Sequence, residues 1–93
     1  MAIFIVQRSL PGLSLEHLAA AHRALAESAR RLSVGEDCVR YLRSTFAPAR
    51  ARCLCVFEAT NRDLVRRVNE VAQVPFESID EAVNFEEPGR DPL

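Results

Sequence analysis

The chain has 93 residues, 48% of them hydrophobic and 27% charged, with a formal net charge of −1. These values describe one small globular domain. They exclude collagenous, coiled-coil and largely disordered chains, and no apolar run nears the ~18 residues that a membrane span needs. A core of this size sits at the small end of the range, where a dimer interface often supplies further burial.

Charge is informative in its distribution. All 12 basic residues are Arg, which together with the many alanines fits a GC-rich genome. From Met1 to Arg67, 11 Arg stand against 6 acids; from Val68 to Leu93, 1 Arg stands against 7. A basic body with an acidic tail can pair with a second copy of itself. It lacks the dominant basic surface of a nucleic-acid binder. The opening MAIFIVQR has no positive region before its apolar residues, so no secretory signal is expected. Cys38, Cys53 and Cys55 form an odd set, which reads as free thiols in a reducing cytoplasm.

The first element is a strand over Ala2–Gln7, short, β-branched and aromatic, ended by Leu10-Pro11-Gly12-Leu13. Ser14 is a good N-cap for a helix that follows. Its apolar stripe is Leu15, Leu18, His22, Leu25, Ala29 and Leu32, stepping by three and four, with Arg30 and Arg31 in the last turn and Gly35 after it. Asp37–Phe46 and Arg52–Ala59 read as two strands of a hairpin joined by Ala47-Pro48-Ala49-Arg50-Ala51. Asn61 caps a second helix that buries Leu64, Val65, Val68, Val71 and Ala72 and stops at Pro75. A last strand, Ser78–Phe85, places Ile79, Val83 and Phe85 on one face.

Strand, helix, strand, strand, helix, strand is the ferredoxin-like order, an α+β fold with a four-stranded antiparallel sheet and two helices on one face. The domain covers residues 1–85, and 86–93 form a polar tail. The first and third strands are expected to be central, and parallel to each other, because Ala2–Val6 and Cys53–Phe57 are the most continuous apolar runs. Arg40, Arg43, Asp80, Glu81 and Asn84 mark the other two as edges. Ile3 and Ile5 make the second face of the first strand apolar, as Leu54 and Val56 do for the third. Two helices cannot cover both faces, so a homodimer packed sheet to sheet is expected.

Among residues able to carry chemistry, His22 stands out because it interrupts an apolar helical stripe. It is either a ligand or acid-base group in a small pocket, or a core-edge histidine bonded to backbone. His17 lies about 500° of helix earlier and is expected in solvent. Cys53 and Cys55 point to one face of a strand. C-x-C can begin a metal site, yet no second pair with ligand spacing accompanies it, so buried structural thiols are expected and no metal ligand is assigned. A five-residue loop sets Thr45 opposite Cys53, Arg43 opposite Cys55 and Arg40 opposite Glu58. Tyr41, Arg43, Cys55 and Phe57 would then share a face. Arg43 could anchor an anion with Tyr41 beside it; the alternatives are an ion pair with the acidic tail of a second subunit, or plain exposure.

AAAHRALAE after the first strand, VRYLRSTF, CLCVFEAT and VNEVAQVPFESIDEAV together resemble a small family of bacterial ferredoxin-like proteins, a domain of unknown function with a nickel-binding actinobacterial branch. The resemblance covers about residues 3 to 85. That branch is His-rich at the end of the first strand, on the second strand and on the second helix. The matching stretches here, Val6-Gln7-Arg8, Val39-Arg40-Tyr41-Leu42 and Val68-Asn69-Glu70, hold no His. His22 alone resembles a retained family histidine, so little nickel is expected.

The candidate ligand-binding residues are His22, Tyr41, Arg43, Cys55 and Asn69. Three functions follow: a dimer that binds a small ligand or metal ion, as the resemblance implies; a cofactor-free isomerase, cyclase or monooxygenase with a pocket between helix and sheet; or an interaction module without a pocket. No cofactor or substrate is named by the sequence.

Overall fold

The computed structural model describes residues 1–85 and Pro88. In it the chain runs β1 (Ala2–Ser9), α1 (Leu15–Leu32), β2 (Val39–Ala47), a 3-10 turn (Pro48–Arg50), β3 (Arg52–Ala59), α2 (Arg62–Val71) and β4 (Ser78–Ala82). The four strands form one sheet in the order β2-β3-β1-β4. The expected βαββαβ order and the central place of β1 and β3 are both seen. Their expected parallel alignment is not: β1 pairs with β3 antiparallel, from Ala2↔Ala59 to Ser9↔Arg52. The reason is topological. The α1 crossover brings β2 into the same direction as β1, and β3 returns between them from a hairpin.

The helices form where their caps and stripes place them. Ser14 Oγ accepts from the His17 backbone N–H at 3.2 Å, and Asn61 Oδ1 accepts from that of Leu64 at 3.0 Å. Leu18, Leu25 and Ala29 of α1 are buried over the sheet, while Leu15, at the start of the stripe, is 81% exposed. In α2, Leu64, Val65 and Val68 are buried as expected. Val71 is exposed instead of buried, and Asn69 takes the inward place with no exposure at all. Ile79 of β4 is buried, but Val83 and Phe85, expected on its face, are exposed. The ladder ends at Ile3↔Ala82, where β1 has a single residue left to offer.

The hairpin holds the main difference. Arg40 does pair with Glu58, and Tyr41 with Phe57, but Arg43 then pairs with Val56 and Ser44 with Cys55. A bulge at Leu42 inserts one residue and reverses the alternation beyond it. Ser44 and Phe46 therefore face the helices, and Arg43 and Thr45 face away. At the turn, Ala51 takes a left-handed conformation (φ 52°) that closes the loop, and its carbonyl accepts from the Leu10 N–H at 2.8 Å.

The core lies between sheet and helices, built from Phe4, Val6, Cys53, Cys55, Phe57 and Ala59 against Leu18, Leu25, Leu64, Val65 and Val68. On the helix-free face Ile3, Ile5 and Val56 are half-buried and Leu54 is exposed. Among the described residues no helix is long and apolar enough to cross a membrane. The expected polar tail, 86–93, lies outside the described residues apart from Pro88.

Candidate functional site

Period-two alternation turns Cys53 and Cys55 to the helix side of a central strand, with their sulfurs 3.8 Å apart. The middle of α1 passes above them and lowers His22 onto the pair. His22 Nε2 lies 3.7 Å from Cys53 Sγ, and donor atoms of all three residues fall within 4.8 Å of one another. Metal–sulfur bonds of ~2.3 Å and metal–imidazole bonds of ~2.0 Å put neighbouring donors ~3.5–4 Å apart, so the spacing matches a shared ion. The C-x-C spacing supplies two donors, and the third arrives from a residue 31 positions earlier.

A second set of contacts fixes these donors. The His22 ring stacks on Tyr41, with centroids 6.0 Å apart and planes at 8°, and Tyr41 meets Phe57 edge-on at 5.4 Å. Ser44 Oγ donates to Cys55 Sγ at 2.9 Å and lies 2.6 Å from the Tyr41 hydroxyl. With its own proton on sulfur, Ser44 is left to accept the proton of Tyr41. The Leu42 bulge is what brings Ser44 to this face.

Arg8 is the other unusual member. Phe4, Val6 and Arg8 alternate inward along β1, and Arg8 stands opposite Cys53. The whole residue is 1% exposed. Nη1 donates to the carbonyls of Val74 (3.2 Å) and Pro75 (3.3 Å), and Nη2 donates to Asn69 Oδ1 at 2.6 Å. Asn69 Nδ2 in turn donates to the Val65 carbonyl at 2.8 Å. All these partners are neutral. Nε is buried without a partner, and among the described residues no carboxylate pairs with Arg8.

Burial sets the protonation states. It lowers the pKa of His22 below its ordinary 6.5, and the charge of Arg8 lowers it further. Burial, with the adjacent Cys55, pushes the Cys53 thiol up to about 11, although Arg8 and Ser44 pull the other way. Tyr41 is raised above 10.0, again chiefly by burial. The site thus presents a neutral imidazole beside a Cys53 thiol that stays protonated until something displaces its proton. A metal ion does so, because a coordinating thiol is deprotonated outright.

Of the residues singled out in the sequence, His22, Tyr41 and Cys55 converge here. Asn69 holds Arg8 rather than the cluster itself. Arg43 points to the opposite face, where it is exposed. Sequence reasoning missed Arg8, Ser44 and the joining of Cys53 to His22. A signal for the bulge did exist: Tyr41 and Phe46 are five residues apart, and strict alternation cannot bury both.

The sheet order, the crossovers and the helices on one face define a ferredoxin-like α+β protein. Within that class, the chain belongs to the SCO4226-like family, described as nickel responsive, whose profile matches residues 4–82. Its fold is similar to the crystal structure of SCO4226 from Streptomyces coelicolor A3(2), with a TM-score of 0.78 and 23% identity over 91% of this chain and 100% of that one. No curated protein gives a significant match.

Proposed function

We propose that the chain is a homodimeric cytoplasmic binding protein whose site holds a metal ion between His22, Cys53 and Cys55. The convergence of three donors within 4.8 Å, from a helix and a central strand, carries this reading. Membership of a family described as nickel responsive supports it. Tyr41 positions His22 by stacking, Ser44 orients Cys55, and Asn69 fixes Arg8 behind Cys53. Native mass spectrometry after reduction and exposure to cuprous, zinc and nickel ions tests the site. One ion per chain is expected for the wild type and none for the Cys53→Ser/Cys55→Ser variant. Binding of no ion in that panel, or equal binding by the variant, overturns the reading.

The dimer is proposed through the helix-free face. One row across that face reads Arg43, Val56, Ile5 and Asp80, apolar in the middle with opposite charges at its ends. A two-fold axis parallel to the strands lays Arg43 over the partner's Asp80 and buries Ile5 and Val56 between them. Light scattering of Asp80→Arg should show dissociation, with dimer restored by adding Arg43→Asp. A wild-type mass near the 10.4 kDa of one chain overturns this arrangement.

A further inference from the structure

We infer that the His22–Cys53–Cys55 site is selective for a soft monovalent ion, Cu(I), over the divalent ions, and that the buried charge of Arg8 sets this preference. The inference rests on the metal-binding reading above and adds the identity of the ion.

Two observations lead to it. The first is the donor set. Two thiolates and one imidazole are soft to borderline donors, and three is their number. Cu(I), a closed-shell ion, accepts three ligands in a plane. Ni(II) in square-planar or octahedral form requires four or six, structural Zn(II) requires four, and Zn(II) on two Cys and one His needs a water or substrate as its fourth ligand. The neighbouring oxygens belong to Ser44 and Tyr41. They already bond to Cys55 and to each other, so they are not free as further ligands.

The second observation is independent of the donors. Arg8 is buried opposite Cys53, keeps its positive charge, and has no carboxylate partner among the described residues. A buried charge is costly unless an opposite one compensates it. Two thiolates carry two negative charges, and a monovalent ion between them leaves one. Arg8 cancels that one, and the cluster is neutral as a whole. A divalent ion neutralises the thiolates by itself and leaves the charge of Arg8 uncompensated in the core. The unpartnered Nε belongs to this same guanidinium, on the strand that flanks Cys53. Binding is an exchange without change of oxidation state: two S–H bonds break, two copper–sulfur bonds and one copper–nitrogen bond form, and two protons leave to solvent.

The test is an anaerobic competition on the full chain. Cu(I) is delivered as its acetonitrile complex against a chromogenic cuprous chelator, with parallel titrations of zinc and nickel chloride. Expected are one Cu(I) per chain, a thiolate-to-copper ultraviolet band, two protons released, and no stoichiometric zinc or nickel at micromolar protein. Arg8→Gln should weaken Cu(I) roughly tenfold and raise zinc affinity, the scale typical of groups just outside a metal's ligands. Asn69→Asp gives Arg8 a carboxylate partner and should move the ratio in the same direction if Arg8→Gln folds poorly. Stoichiometric zinc or nickel in the wild type, or an unchanged copper-to-zinc ratio in a folded variant, overturns the inference while leaving the metal site standing. Failure of all three ions to bind overturns both.

Discussion

Arg8 and Cys53 are partners across the β1–β3 ladder, and both side chains are buried in the core. The pair explains why the core of this small sheet is polar at one end. It also yields a stability prediction. Arg8→Ala leaves the carbonyl of Val74 and the amide of Asn69 without their donor and opens a cavity. The loss should be about 3 kcal/mol in urea unfolding, from unmet acceptors and lost packing together. A loss below about 1 kcal/mol would mean that water replaces the guanidinium at no cost.

His22 gives a pH dependence. Its folded pKa lies below 6.5, so the unfolded chain binds the proton first as pH falls. Stability is therefore full above the unfolded value and declines as pH drops from about 6.5 through the folded value. Arg8, Tyr41, Cys53 and Cys55 are the charged or titratable groups around the ring, and among them the charge of Arg8 lowers the ring's pKa. An NMR titration should place the His22 midpoint below 6.5. A midpoint at or above that value contradicts the burial described.

His22→Leu should fold and keep stability within about 1 kcal/mol, because leucine fills the same place in the α1 stripe. The same change should remove metal binding. Comparing thermal melts of the two proteins with and without cuprous ion separates these effects, since a ligand of the folded state raises its melting temperature by mass action. A metal-dependent shift equal in both proteins would place the site elsewhere.

Thiol reactivity should follow burial. Cys38 is partly exposed, whereas Cys53 and Cys55 are buried and the Cys53 thiol is pushed up to about 11. At pH 8 iodoacetamide should label Cys38 first, with Cys53 labelled only on denaturation, as peptide mass mapping would reveal. Early labelling of Cys53 would indicate an open site.

Nickel is the family's descriptor, and this chain should respond to it weakly. Protein purified from nickel-supplemented medium should carry far less than one nickel per chain, and added nickel should barely move its melting temperature. Metal analysis at one nickel per chain would reverse the expected preference.

The element order was readable because each signal was local. Ser14 and Asn61 cap their helices, the stripe of α1 buries Leu18 and Leu25, and the turn holds Pro48. The site was readable only in part. His22, Tyr41 and Cys55 were visible as types in the right elements. Ser44 was hidden because its place depends on a one-residue bulge, which no propensity marks and which reverses every side chain beyond it. Arg8 was hidden by its type: arginine at a strand end reads as solvent-facing, and its alternation with Phe4 and Val6 was the overlooked sign. Val71 and Asn69 exchanged roles for a related reason, since a buried asparagine is tolerated where Arg8 and the Val65 carbonyl satisfy it.

The bulge at Leu42 also governs how the sheet meets other strands. It lies on β2, an outer strand, and an irregular rung is a poor template for another chain to copy. The opposite border, β4, is only five residues long and carries Asp80 and Glu81. Neither border offers a long, flat, uncharged row of backbone groups. Growth of the sheet sideways into ribbons or fibrils is therefore blocked at both ends, and the protein can be concentrated without seeding cross-β aggregation.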